Sequence, residues 1–334
     1  MWRLIRRSLA LILVLLMATA AGLYFFAKQE VTFTPPGVVY DLKTGGNLRS
    51  VSRDLAALGL LPGTGGALLF EVLGRVRGDA PYLKAGNYEF ASPVTPVALL
   101  RKMTRGDATQ SAVRFIDGWT FTQVRQALDA HEALKHDTAG MSHEALARAL
   151  GVADGQVEGW IFPETYHFAR GGSDLAVLKR AYRQMQNHLN TQWAARPVDS
   201  PLATPYEALI LASIVEKETG KAADRALVAS VFVNRLRLGM RLQTDPTVIY
   251  GMGDAFDGNL RRRDLQTDTP WNTYTRGGLP PTPIAMPGKP ALLAAVQPAA
   301  TKALYFVARG DGTSQFSASL DEHNRAVNKY QRGQ

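Results

Sequence analysis

The stretch Leu211-Ala-Ser-Ile-Val-Glu-Lys-Glu-Thr219 decides how the larger part of this chain is read, because it sets a carboxylate among residues that a helix would bury. Thr204 has the chemistry of an N-cap, Pro205 suits the first helical position, Glu207 stands where a capping box needs an acid, and Gly220 follows the end. A helix is therefore expected from Pro205 to Thr219. At about 100° per residue, Leu211, Ile214, Val215 and Glu218 share one sector of roughly 100°. Ser213 and Lys217 fall opposite and Glu216 on the flank, so the two glutamates are not equivalent. Against an apolar wall, desolvation would raise the pKa of Glu218 and keep it protonated as a general acid. At a helix end it would instead reach solvent or pair with an arginine such as Arg225.

Around this helix the periodicity gives mixed elements. Further helices are expected over Thr120 to His131, His143 to Leu150, Asp174 to Gln192 and Asp224 to Leu238, with a strand at Val113 to Ile116. Past Met240 the chain is rich in Gly, Pro, Thr and Asn. Gln243 to Gly251 and Trp271 to Pro283 are expected to be long ordered loops that wall a groove. The tail returns to order at Leu304 to Ala308, Ser314 to Ser317 and a last helix from Leu320 to Tyr330. Residues 31 to 110 form a separate small α+β module. It has strands at Val31 to Thr34, Val38 to Leu42 and Gly86 to Phe90, and helices at Leu48 to Leu58, Leu68 to Val76 and Val97 to Met103. Its strand, helix, helix, strand order without clustered reactive residues suits binding rather than catalysis.

The first seven residues carry Arg3, Arg6 and Arg7, and residues 9–27 then run without a charge. About twenty such residues span a bilayer, and arginines on one side hold that side in the cytoplasm. The division expected is a cytoplasmic N-terminus (1–8), a transmembrane anchor (9–27), the small module (28–110) and a larger mixed α+β domain (111–334). The rival is a cleaved signal peptide, since Ala18-Thr-Ala20 has the form of a cleavage site, although Gly22 to Ala27 prolongs the apolar run past it. There is no cysteine, so disulfides and thiolate chemistry are excluded. A net charge of +9 suits anionic lipid headgroups, wall polymer or nucleic acid, and an external location argues against nucleic acid.

Several chemistries lack their residues. The six histidines make no His-Glu-x-x-His pair, so no metal site is expected, and there is no nucleophile elbow or Walker loop. Lys217 projects to the polar side, away from the desolvated setting that a Schiff-base lysine of a pyridoxal-phosphate lyase needs. No cofactor is called for, and the carboxylates remain.

At this point the residues become familiar. Glu216-Lys-Glu-Thr219, Val231-Phe-Val-Asn-Arg-Leu236, Gln243-Thr-Asp-Pro-Thr-Val-Ile-Tyr-Gly251, Asn272-Thr-Tyr-Thr275, Gly278-Leu-Pro-Pro281, Leu304-Tyr-Phe-Val307 and His323-Asn324 together resemble the YceG-like family of endolytic murein transglycosylases. The resemblance covers nearly the whole chain, with the 28–110 segment similar to a LysM module. It implies cleavage of the N-acetylmuramic acid to N-acetylglucosamine bond within nascent peptidoglycan strands, leaving 1,6-anhydro-muramyl ends. The second glutamate of the first motif, Glu218, would be the catalytic one. It also implies a single-pass protein of the bacterial inner (cytoplasmic) membrane with a periplasmic catalytic domain, peptidoglycan strands as substrate and peptidoglycan synthases as partners. Such a reaction uses the sugar's own C6 hydroxyl as nucleophile, so one carboxylate serves as acid and then base where most glycosidases need two.

For the groove, Gln243, Thr244 and Asp245 carry groups suited to sugar hydroxyls and acetamides, and Tyr250, Asn272 and Tyr274 offer stacking and hydrogen bonds. Each has a plain structural alternative: Asp245-Pro246 caps a helix, Tyr250 is core, Asn272 holds a turn. Glu164 and Tyr166 are candidates for the opposite wall, and Glu164 or Asp245 would become a second catalytic carboxylate in a hydrolase. A non-catalytic anchored scaffold that binds glycan and recruits wall synthases is the alternative from another class.

Overall fold

The computed structural model describes every residue except 1, 34–36, 44, 108–109, 154 and 334. The chain is α+β and divides into two compact units, one of Met1–Ser111 with His167–Gly171, the other of Ala112–Tyr166 with Gly172–Gln334.

The first unit begins with α1 (Trp2–Lys28). Its Ile5–Lys28 segment has a mean hydropathy of 2.4, so it is long and apolar enough to cross a membrane. Then come β1 (Val38–Leu42), α2 (Leu48–Ala57), α3 (Gly66–Val76), β2 (Gly86–Phe90) and α4 (Pro96–Arg105). The strands pair antiparallel from Val38 opposite Phe90 to Leu42 opposite Gly86. Asn47 and Ser50 cap α2 reciprocally, and Thr95 with Pro96 opens α4. Gly74 allows α3 to approach α2, since a Cβ there would lie 2.8 Å from a methyl of Leu48. The core holds Val51, Leu55, Phe70, Tyr88 and Leu99, and the end of α1 enters it through Phe26 and Ala27. Of the strand expected from Val31, only a bridge between Val31 and Val94 is seen, and Thr34 lies outside the described residues.

Onward, the elements are β3 (Gln110–Arg114), α5 (Phe121–Asp129), β4 (Leu134–Lys135), α6 (His143–Leu150), β5 (Thr165–Ala169), β6 (Gly172–Ser173), α7 (Asp174–Ala194), α8 (Pro205–Glu218), α9 (Ala222–Arg237), α10 (Asp245–Met252), α11 (Arg262–Gln266), α12 (Lys289–Val296), β7 (Tyr305–Ala308), β8 (Ser314–Ser317) and α13 (Leu320–Gln331). The strand expected at Val113 to Ile116 ends earlier, at Arg114. In the second unit β4 and β6 pair in parallel, and β7 and β8 form an antiparallel hairpin from Tyr305 opposite Ser317 to Ala308 opposite Ser314.

Helix α8 is the axis of the second unit, packed by α12, α9 and α7. The Thr204 hydroxyl accepts from the Glu207 N–H at 3.2 Å, the capping bond that starts it. The Glu207 carboxylate accepts from Ala203 N–H at 2.6 Å, one residue upstream of the reciprocal partner expected. The helix ends at Glu218 because Thr219 turns to extended backbone at φ −147° and ψ 129°, with no left-handed Gly220 involved. Every residue from Ala208 to Val215 is buried, so α8 is buried all round rather than amphipathic. Ser213, expected on a polar side, is fully buried. Its hydroxyl donates to Ile210 O at 2.7 Å and accepts from Ile284 N–H at 3.0 Å, which satisfies it there. The segment Gln243 to Gly251, expected as loop, is mostly α10. Its Pro246 lies in the first turn, where a missing N–H costs nothing. Helix α12, the main cover of α8, was not anticipated.

Candidate active site

Glu218 is the last residue of α8, and its carboxylate accepts a hydrogen bond from the Thr244 hydroxyl. Thr244 stands at the N-cap of α10 but makes no capping bond with its side chain, because that hydroxyl is committed to Glu218. A network of hydroxyls fixes it. Thr244 N–H donates to Thr273 Oγ1 at 3.1 Å, Thr247 Oγ1 donates to Thr244 O at 2.7 Å, and the Thr247 and Thr273 hydroxyls meet at 2.9 Å. Just before it, Gln243 has φ +51°, a left-handed conformation uncommon outside glycine. Such local strain collects where a backbone must aim neighbouring side chains. Next along, the Asp245 carboxylate accepts from the Tyr274 hydroxyl at 2.6 Å.

Opposite stands Arg235 of α9, only 8% exposed. Its Nε donates to Leu304 O at 2.7 Å, and its Nη1 donates to Leu242 O at 2.8 Å and Arg241 O at 3.3 Å. Its guanidinium lies 5.1 Å from the Tyr305 ring centre, and Tyr305 stacks on His323 at 5.2 Å and 23°. These side chains line a cleft of about 660 Å³, with Leu242, Phe306, Val307 and Leu320 as its apolar part.

The electrostatics follow from burial. Desolvation pushes the Glu218 carboxyl above its ordinary range and the Asp245 charge adds to this, while the Thr244 hydroxyl and Arg235 pull the other way. Glu218 is therefore biased towards its protonated form, yet its anion has a donor and a cation at hand. Burial likewise lowers His323, with Arg235 contributing. Glu216 is half-buried too, but its carboxylate is tied up outside the cleft, accepting from Gly288 N–H at 2.9 Å with Arg225 at 3.6 Å. The arginine considered as a partner for Glu218 thus serves Glu216.

Of the residues singled out from sequence, Gln243, Thr244, Asp245 and Tyr274 meet Glu218 at this cleft. Four others do not. Asn272 is fully buried. Its amide donates to the carbonyls of Asp264, Leu265 and Thr267, and its oxygen accepts from Tyr274 N–H at 2.8 Å, so it holds the loop that presents Tyr274. Tyr250 turns inward, donating to Glu158 at 3.2 Å and meeting Trp271 edge-on. Glu164 accepts from the Gln184 amide and lines a separate depression with Arg114 and Asp117. Tyr166 is buried, its hydroxyl donating to Phe162 O at 2.7 Å. Lys217 is exposed, its Nζ donating to Gly118 O at 3.3 Å, and it does not line the Glu218 cleft.

The sequence profile of the YceG-like family matches residues 40–329. The chain belongs to the YceG-like family. This YceG-like chain is 39% identical over 175 residues to a Bacillus subtilis (strain 168) protein named endolytic murein transglycosylase, covering 52% of this chain and 48% of the relative. A Streptococcus pneumoniae (serotype 2, strain D39) protein of the same name is 25% identical over 355 residues, covering 94% and 63%. The chain thus spans between about half and two thirds of the length of these relatives. A crystal structure of a YceG-like protein from Listeria monocytogenes matches with a TM-score of 0.53 and 26% identity, over 86% of this chain and 98% of that one.

Arg235, Tyr305 and His323 stand in motifs that carry the resemblance of this YceG-like chain, but their sequence alone assigns them no place at the site. A signal existed for Arg235: by helical phase it shares a face with Val228, Val231 and Phe232, all buried, as Glu218 does with its neighbours. Tyr305 and His323 reach the cleft only through the β7–β8 hairpin and α13, which no local pattern places there.

Proposed function

We propose that this chain is a membrane-anchored endolytic peptidoglycan lytic transglycosylase, with Glu218 acting first as acid and then as base. The observation that carries this is the two-sided environment of Glu218: burial favours its protonated form, and the Thr244 hydroxyl and Arg235 favour its anion. A group that must give a proton and then take one needs both. The Glu218 carboxyl protonates the glycosidic oxygen and the C1–O bond breaks, releasing the strand that begins with N-acetylglucosamine, the former glycosidic oxygen now its free hydroxyl. The C6 hydroxyl of the muramyl residue attacks C1 and passes its proton to the Glu218 carboxylate. The acid is restored, a 1,6-anhydro ring closes and no water is consumed. Gln243, the Asp245–Tyr274 pair and the Tyr305–His323 stack are the groups that would hold sugar hydroxyls, acetamides and ring faces.

The remaining assignments rest on sequence and form. Residues 1–8 would be cytoplasmic, 9–27 the anchor, 28–110 a LysM-like glycan-binding module and 111–334 the catalytic domain outside the membrane. The Trp271 to Pro283 loop would wall the groove, and the synthases that lay down nascent strands are the partners this location implies.

A hydrolase is the one competing reading that an observation favours, because Asp245 is a second carboxylate at the cleft. Digestion of purified glycan in isotopically labelled water separates the two. Anhydro ends without label support the transglycosylase, and labelled reducing ends that vanish in Asp245→Asn would establish the hydrolase.

A further inference from the structure

Helix α3 carries an apolar stripe that the first unit does not cover. Leu68 is 67% exposed, Leu69 39%, Val72 37% and Val76 72%. At about 100° per residue these four fall within one sector of roughly 100°, opposite the face that buries Phe70 and Leu73. The helix has only two charges, Glu71 and Arg75, and they pair with each other at 2.5 Å, so the border of the stripe carries no net charge. In a water-facing module such a stripe is a liability, which makes its surroundings informative.

Those surroundings are α1. An apolar cavity of about 510 Å³ lies between α1 and α3, lined by Leu16, Leu23, Val72, Val76 and Val97 among others. Leu16 precedes Lys28 by twelve residues, about 18 Å along the helix. Val72 and Val76 therefore stand level with the outer apolar half of α1 rather than beyond its end. Phe26 and Ala27 of the same helix are buried in the module core, which joins the two directly.

We infer that α3 is a second membrane contact, lying in the outer interface of the bilayer with Leu68, Leu69, Val72 and Val76 among the lipids and acyl chains filling the space beside α1. This rests on the reading of α1 as a membrane anchor. An amphipathic helix of this kind binds by the apolar area it sinks below the headgroups. Together the two contacts would hold the module flat on the membrane surface instead of tethered by one helix end.

The chain has no cysteine, so single cysteines can report on each site in the full-length protein. Leu68→Cys and Val76→Cys mark the stripe and Leu13→Cys marks the anchor, each labelled with an environment-sensitive fluorophore. The protein is reconstituted into vesicles of phosphatidylethanolamine and phosphatidylglycerol with or without a lipid-borne quencher. The expected result is loss of most emission at all three positions with the lipid quencher, and protection of all three from aqueous iodide. Quenching of Leu13→Cys by lipid with Leu68→Cys and Val76→Cys open to iodide would overturn the inference and leave the anchor standing. No lipid quenching at any position would remove both. Stripe labels shielded from lipid and iodide alike, with energy transfer between molecules that disappears on dilution into excess vesicles, would show a second copy on α3 and overturn the lipid assignment.

Discussion

Thr244 and Asp245 act on Glu218 in opposite directions. The Thr244 hydroxyl stabilises the Glu218 anion and the Asp245 charge disfavours it. A general acid must be protonated, so the rate falls as pH rises through its pKa. Thr244→Val removes the bond that lowers that pKa, and the descending limb of the pH–rate profile is expected at higher pH than in the wild type. Asp245→Asn removes a charge that raises it, and the limb is expected at lower pH. Thr244→Val should also slow turnover about 10- to 100-fold, the usual worth of a hydrogen bond to a charged group. Matched kcat profiles check this, and shifts of the same sign in both variants would contradict it. At this scale the sequence spoke for Glu218, because a charge on an apolar helical face is a local signal. It offered Asn272 and Tyr250 for the groove without deciding against a structural role, since a loop amide or phenol serves a turn or a sugar with the same chemistry. Only the fold shows that Asn272 spends its amide on three carbonyls.

Helix α10 begins where the cleft begins, and its far end is pinned by a buried acid. Glu158 accepts from the Phe121 N–H at the start of α5 at 3.1 Å and from the Tyr250 hydroxyl of α10 at 3.2 Å. Burial pushes the Glu158 carboxyl up to about 7, outweighing the bonds from Phe121 N–H, the Tyr250 hydroxyl and Gly159 N–H that favour its anion. Between the ordinary glutamate value and 7 the unfolded chain has released this proton while the folded chain keeps it. Stability contributed by the group is therefore full at acid pH and lost as pH rises to about 7. The loss amounts to about 3 kcal/mol. Glu158→Gln should flatten that part of the profile, as read by denaturant unfolding across pH 5 to 8; an unchanged slope would place the titration elsewhere. The Thr204 cap made the start of α8 legible, since it signals locally. Helical phase separates the faces of α8 poorly, because a helix wrapped by α7, α9 and α12 has no solvent side, and Ser213 and the Glu216 carboxylate are drawn in as well. Helix α12 gives no periodic signal because Lys289 to Val296 is short and, after Lys289, apolar throughout, without the polar face that sets a period.

For the whole molecule, the apolar run of α1 left its mark in composition, whereas the assembly of the cleft from α8, α9, α10 and the C-terminal hairpin did not. Those residues lie up to about a hundred positions apart, and only tertiary packing brings them together. An intact anchor predicts that the full-length protein stays in the membrane fraction after alkaline carbonate extraction and keeps its N-terminal segment. Mature protein beginning at Ala21 would contradict it. The central claim is that one carboxylate, Glu218, carries the bond cleavage. The most direct test compares wild type and Glu218→Gln on purified peptidoglycan, with mass spectrometry of the new chain ends and circular dichroism to verify folding. The account predicts 1,6-anhydro ends from the wild type and a loss on the order of 10²- to 10⁴-fold in Glu218→Gln with the fold unchanged. A folded Glu218→Gln protein that still cuts at the wild-type rate would contradict it.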